Sequence, residues 1–252
     1  MGCGLAIGAR TLVMSALEVL PVRIAGAAEN MAVDFLLLQR YPQAGAPRMR
    51  HYGWRSPSVT FGYSQKIAWV RAQLPSGGPF DLCRRPTGGG IVDHRDDWTY
   101  SVVIPRGHPL EKEPALKSYR AVHECLAESL HQQGVPSGIS PAGAPDPGAG
   151  FTPGICFQRP EPGDVIHSQT KTKIAGAAQK RNARGLLFQG SISRAATGPA
   201  AVDWDAFLED FAARLGTALG CPAEAKPWPE LDEEELGGLV ERYSSAEWIE
   251  FR

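Results

Sequence analysis

Apolar positions recur at helical spacing in four stretches of this chain, and at strand spacing in six others. In the first helical stretch Met31, Phe35 and Leu38 share a face, Leu36 and Leu37 widen it, and Asn30 is placed to cap its start. The second spans about 117–133, with Tyr119, Val122, Leu126 and Leu130 on one stripe and Gly134 as its stop. A third carries Phe207, Leu208, Phe211 and Leu215 behind Asp203, a candidate cap; a fourth, about 232–243, carries Leu236, Leu239 and Val240. Strands are predicted over 48–54, 58–63, 80–83, 98–104, 174–178 and 186–192, with a basic turn from Lys180 to Gly185 joining the last two. Gly62 inside the second strand marks a bulge or a close backbone approach.

Strands and helices arrive in mixed order, without the regular alternation of a doubly wound parallel sheet. That order predicts an α+β fold with a mainly antiparallel or mixed sheet flanked by helices. Residues 135–154 are rich in Pro, Gly and Ala and carry no periodicity, so they are expected to form a long loop inside one domain.

Bulk composition narrows the setting. The 252 residues include 43% hydrophobic and 21% charged side chains, enough for one sizeable core, and the formal net charge of −1 offers no general attraction for nucleic acid. No apolar run approaches the ~20 residues of a membrane span. Cys3, Cys83, Cys125, Cys156 and Cys221 are few and widely spaced, so no disulfide framework or zinc knuckle is expected, and free thiols fit a cytoplasmic setting. The first 13 residues lack the charged region and long apolar core of a signal peptide, and Ala6 breaks the myristoylation pattern. They read as an N-terminal extension, non-native or disordered, with Met14 as a second candidate start.

Candidate chemistry centres on residues 84–94, Arg-Arg-Pro-Thr-Gly-Gly-Gly-Ile-Val-Asp-His. Three glycines let the backbone take φ > 0 and approach a ligand, while a plain turn between strands fits the same residues. Downstream lie Cys156 and, seventeen positions on, Lys173, a cation able to lower a thiol pKa from its free value of ~8.5. A cysteine in apolar surroundings is also a common buried small hydrophobe. Lys173 leads into Ile174, Ala175 and Gly176, small residues suited to a pocket wall, whereas Lys180, Arg181 and Arg184 read equally well as a solvated turn. His123 and His131 lie on the predicted helix, where both are expected to face solvent, and His94 closes the glycine loop. The six histidines have no metal-ligand spacing, and no Walker loop or G-x-G-x-x-G fingerprint is present.

Taken together, these stretches resemble the biotin/lipoate A/B protein ligase superfamily. Asn30 to Asp34, Arg50 to Trp54 and Pro57 to Gln65 resemble its first helix and strands; Arg84 to His94 with Thr99 to Val102 resembles its glycine-rich substrate loop. Lys173 to Lys180 with Gln189 to Ile192 resembles its lysine motif, and Arg242 to Trp248 its closing element. Cys156-Phe157-Gln158-Arg159-Pro160 is similar to the acyl-enzyme cysteine segment of the superfamily's LipM-type octanoyltransferase branch.

The resemblance implies a single ligase-like catalytic domain over 14–252. It also implies octanoyl transfer from acyl carrier protein, through a Cys156 thioester, to a lysine of a lipoyl domain (glycine cleavage H protein or a 2-oxoacid dehydrogenase E2). Cys156 and Lys173 would be catalytic, and Arg85, Thr87, Gly88, Gly89, Gly90, His94 and Gly176 would bind substrate. No metal, nucleic acid or membrane is implied. Two departures leave the acyl donor open: Gln158-Arg159 and Glu161 to Ile166 replace the family's acidic and tyrosine-containing run, and the turn from His167 to Thr172 is longer than the family's; the retained Gly-Gly-Gly form, common in ligases, keeps an ATP-using ligase open as well. The alternatives are a lipoate-protein ligase using ATP and magnesium, a lipoyl-domain-to-lipoyl-domain amidotransferase, and a non-catalytic acyl-binding protein.

Overall fold

The computed structural model describes residues 16–39, 45–74, 78–141 and 157–251. Its strands are β1 (Leu17–Ala25), β2 (Arg48–Trp54), β3 (Ser58–Phe61), β4 (Asp81–Arg84), β5 (Ile91–Asp93), β6 (Asp97–Pro105), β7 (Ser137–Ile139), β8 (Val165–His167), β9 (Lys173–Asn182), β10 (Gly185–Ser193) and β11 (Ala223–Ala225). The helices are α1 (Ala27–Gln39), α2 (Ile67–Ala72), α3 (Pro109–Lys112), α4 (Ala115–Gln132), α5 (Trp204–Ala218), α6 (Glu233–Ser244) and α7 (Ala246–Glu250). Among the described residues an eight-stranded sheet runs β11-β1-β2-β6-β10-β9-β8-β7, and a three-stranded sheet runs β4-β3-β5. The β11–β1, β1–β2 and β3–β4 pairs are parallel and the remaining pairs antiparallel, so the α+β mixed sheet expected from the sequence is observed.

Period-two alternation along β6 and β10 sorts the large sheet into an apolar face and a site face. Trp98, Tyr100, Val102 and Ile104 of β6 join Leu186, Phe188 and Ile192 of β10 beneath Val122, Leu126 and Leu130 of α4 and Phe207, Phe211 and Leu215 of α5. The alternate positions Thr99, Ser101, Gln189 and Ser191 are buried polar groups on the opposite face, where α1 packs. Gly190 stands opposite Tyr100 because any Cβ there would sit 2.2 Å from the tyrosine ring.

Helix α1 begins three residues before the predicted cap. Asn30 lies inside it, donating to Gly53 O at 3.0 Å and accepting from Arg50, and the first N–H (Ala27) is satisfied by Asp81 Oδ2 at 2.7 Å. Asp203 caps α5 as expected, and Asp232 caps α6. His123, expected to face solvent, is instead fully buried in α4, where Gly163 O and Tyr100 meet its two ring nitrogens. No helix among the described residues is long and apolar enough to cross a membrane.

Candidate active site

Between the site face of the large sheet and the glycine loop of the small one lies a cavity with about 490 Å³ of empty space, its mouth included. Met31, Tyr52, Trp54, Val92, Phe157 and the backbone-rich strip Gly176–Ala178 supply most of its apolar wall. Lys173, at the start of β9, brings one ammonium to this wall. Its Nζ lies 2.7 Å from Asp164 Oδ2, with the two side chains 8% and 1% exposed, so both charges are held almost out of water. The lysine side chain folds back over Gly176, where a Cβ would come within 2.6 Å of Cε and 2.7 Å of Nζ. A side chain at position 176 would therefore displace the end of Lys173 from its place beside Asp164.

Asp164 is itself held on three sides. Glu161 N donates to Oδ2 at 2.7 Å and Tyr119 OH donates to Oδ1, while Tyr119 accepts from Ala177 N at 2.9 Å. Behind Tyr119 stands His123, whose Nδ1 donates to Gly163 O at 2.8 Å, leaving Nε2 to accept from Tyr100 OH at 3.2 Å. Burial without a charged partner of its own drives the His123 pKa down to about 4 and raises those of Tyr119 and Tyr100. The lysine thus sits on a rigid, neutral support with one carboxylate.

The glycine loop forms the facing wall. Arg85 is 5% exposed and turns inward, donating to Gly88 O and Gly90 O at 2.9 Å each and to Thr60 Oγ1 at 2.8 Å. A buried guanidinium that spans two carbonyls fixes the loop's curvature. Gly89 takes φ of +89° at the bend and faces the cavity. The close approach read from Gly62 is observed: a Cβ there would lie 2.0 Å from Gly89 O. Gly62→Ala should push the loop off β3, costing about 1–3 kcal/mol, an overpacking penalty measurable as a lowered urea midpoint. An unchanged midpoint would show that the contact is slack.

His94 closes the loop and is stacked on Trp54, ring centroids 4.0 Å apart. Its Nδ1 lies 2.6 Å from Asp97 Oδ2, so it carries the hydrogen, and Nε2 lies 2.7 Å from Thr60 Oγ1 and accepts from that hydroxyl. Burial pushes the Asp97 carboxyl up, but His94 together with the Ser191 and Thr99 hydroxyls outweighs it and holds the group below the usual carboxylate range. Beneath the loop, Thr87 donates to Gln189 at 2.7 Å, Gln189 donates to Asp34 at 2.7 Å, and Asp34 pairs with Arg50 at 2.7 Å. This polar seam ties the loop to α1 and β2.

The structure thus brings Lys173, Gly176, Arg85, Gly89 and His94 to one cavity. Thr87, Gly88 and Gly90 stand behind that wall, where they hold it. Cys156 lies outside the described residues; its chain neighbour Phe157 lines the cavity, its ring centroid 5.8 Å from Lys173 Nζ. Lys180 Nζ reaches Pro86 O at 3.3 Å, so it belongs to the loop's outer support rather than to a free turn. Sequence reading did not single out Asp164, Tyr119, Asp97 or Thr60 as site groups, since each gains its role from a partner distant in the chain.

The fold places the chain among lipoate-ligase-like catalytic domains. It superposes on a bipartite lipoate protein ligase from Thermoplasma acidophilum with a TM-score of 0.68, 18% identity and coverage of 93% of this chain and 96% of that one. A lipoate-protein ligase A bound with ATP gives a TM-score of 0.69 at 18% identity, over 93% of this chain and 98% of that one. The family itself follows from sequence: the lipoyl protein ligase A/B catalytic domain matches residues 26–200, and the chain belongs to that family. Among curated relatives, the octanoyltransferase LipM of Symbiobacterium thermophilum is 32% identical over 169 residues, 65% of this chain and 60% of that protein. The octanoyltransferase LipM of Oceanobacillus iheyensis is 34% identical over 169 residues, 66% of this chain and 59% of that protein. The match therefore spans about three-fifths of the relatives' length.

Proposed function

We propose that this protein is an octanoyltransferase of lipoate biosynthesis. It takes the acyl group from octanoyl-acyl carrier protein onto Cys156 and passes it to a lysine of a lipoyl domain. The observation that carries this reading is the apolar cavity with a single fixed ammonium, Lys173, in a chain whose curated relatives are octanoyltransferases. In the first step the Cys156 thiolate attacks the thioester carbonyl, the bond to the carrier sulfur breaks, and that sulfur leaves as a thiolate that takes a proton. In the second, the acceptor amine attacks the new thioester, the bond to Cys156 breaks, and a proton from nitrogen restores the thiol. Lys173 stabilises the thiolate and the carbonyl oxygen as charge builds on it. The cavity takes the alkyl chain, with each buried CH₂ contributing ~0.8 kcal/mol. Thioester exchange and aminolysis need neither ATP nor a metal ion. Cys83, Cys125 and Cys221 are free thiols, in keeping with a reducing, cytoplasmic setting.

Incubation with octanoyl-acyl carrier protein should add the mass of one octanoyl group to the protein, and Cys156→Ala should abolish the adduct. Lipoyl-domain modification by Cys156→Ala without ATP would sink the thiol mechanism. A second reading, an ATP-dependent ligase, draws on the Gly88–Gly90 loop and on the fold neighbour bound with ATP. It requires free octanoate and ATP and survives loss of Cys156, so the same assay separates the two.

A further inference from the structure

A second cleft opens beside the acyl cavity, and Phe157 lines both. Its walls carry Asp93, Asp96, Asp97, Arg95 and Ser193. Arg95 is held by Asp93 at 2.6 Å, and Arg194 reaches backbone oxygen, donating from Nε to Asp97 O at 3.2 Å and from its N–H to Asp96 O at 3.3 Å.

Asp97 is the unusual member. Its side chain is 2% exposed, and Oδ2 alone takes three hydrogen bonds, from His94, Thr99 and Ser191. Oδ1 takes none; among the described residues it is the one buried carboxylate oxygen without a partner. A buried, unsatisfied acceptor on an ionised carboxylate is costly, and a cationic N–H donor is the group that relieves it best. A cationic N–H donor brought into this cleft, beside Phe157, would meet that need.

We propose that this cleft is the docking site for the acceptor's lysine side chain, with Asp97 Oδ1 receiving its ammonium, an inference that rests on the transfer reading above. The two substrates then approach from different sides. The alkyl chain fills the apolar cavity, the amine arrives through the acidic cleft, and Phe157 stands where they meet. The Asp97–His94–Thr60 array connects the two compartments, so an amine on Asp97 lies at one end of a hydrogen-bonded path that ends at the acyl wall.

The test is a double-mutant cycle on binding, which needs no turnover. Affinity of the full chain for an apo-lipoyl domain is measured for wild type and Asp97→Asn, each against the domain with its acceptor lysine intact or changed to methionine. Either single change should weaken binding about tenfold, and the two together no more than one alone. Asp96→Asn, at an exposed position, gives a second cycle should Asp97→Asn fold poorly, with an expected coupling of about threefold. Additive effects in the cycles overturn the proposal. Failure of the underlying reading looks different: no octanoyl-enzyme forms from octanoyl-acyl carrier protein, while the coupling to the lysine persists.

Discussion

Asp164→Asn should destabilise the protein by about 3–5 kcal/mol and leave it unable to transfer the acyl group. The Lys173 side chain is 8% exposed, and its ammonium has Asp164 as its carboxylate partner at 2.7 Å. Removing that charge strands a cation in a site that water scarcely reaches, and the cost is the desolvation of an uncompensated ion rather than the worth of one ion pair. The same substitution loosens Tyr119 and Glu161, which donate to the Asp164 carboxylate. Stability and chemistry can be separated. The double variant Lys173→Met, Asp164→Leu removes both charges, so it should recover most of the lost stability and none of the transfer. Lys173→Met alone should cost less than Asp164→Asn, since Tyr119 and Glu161 still donate to the carboxylate it leaves without a cation. Urea unfolding and octanoyl-enzyme formation on the four proteins check this set. A double variant no more stable than the singles would show that packing around Gly176, rather than charge, holds the site together.

What the sequence made legible was set by distance along the chain. Strands β2, β6 and β10 and helices α4 and α5 were readable because each carries its own period, and Arg48–Trp54 was placed to the residue. Strand β1 escaped: Pro21 and a register shift between Leu20 and Arg23 break its alternation. The start of α1 was misplaced because its cap is Asp81, 54 positions away, while Asn30 looked like a local cap. The same logic divides the site. Gly88–Gly90, Lys173 and Gly176 announce themselves through local pattern and family resemblance. Asp164 and Asp97 are single carboxylates without a motif, and Thr60 is an ordinary strand residue until His94 and Arg85 reach it. Gly62 is the intermediate case: one glycine in a β-branched strand gave a local hint of the contact with Gly89, although the partner lies 27 residues on.

Stability should fall as pH drops from 6.5 to about 4, with His123 contributing on the order of 3 kcal/mol. In the fold His123 is buried in its neutral form, with Gly163 O taking the Nδ1 hydrogen and Tyr100 occupying Nε2. Burial is the main force holding its pKa down; nearby Asp164 and the Gly163 carbonyl oppose it, and Lys173 adds to it. In the unfolded chain the imidazole titrates near 6.5. Below that value the unfolded state takes up a proton the folded state refuses, so protons favour unfolding until the folded histidine also charges, near pH 4. Above about 6.5 neither state binds the proton and this contribution is flat. His51 and His108, lowered chiefly by burial, act in the same direction over the same window, whereas Asp97, held below the usual carboxylate range, adds to the loss only below about pH 4. A non-titrating His123→Gln variant keeps a donor and an acceptor in place and isolates the contribution of His123. Urea midpoints at pH 7.5 and pH 4.5 should differ strongly in wild type and much less in the variant. Equal differences in both would assign the acid sensitivity to the other buried groups and leave His123 as a structural hydrogen-bonding residue alone.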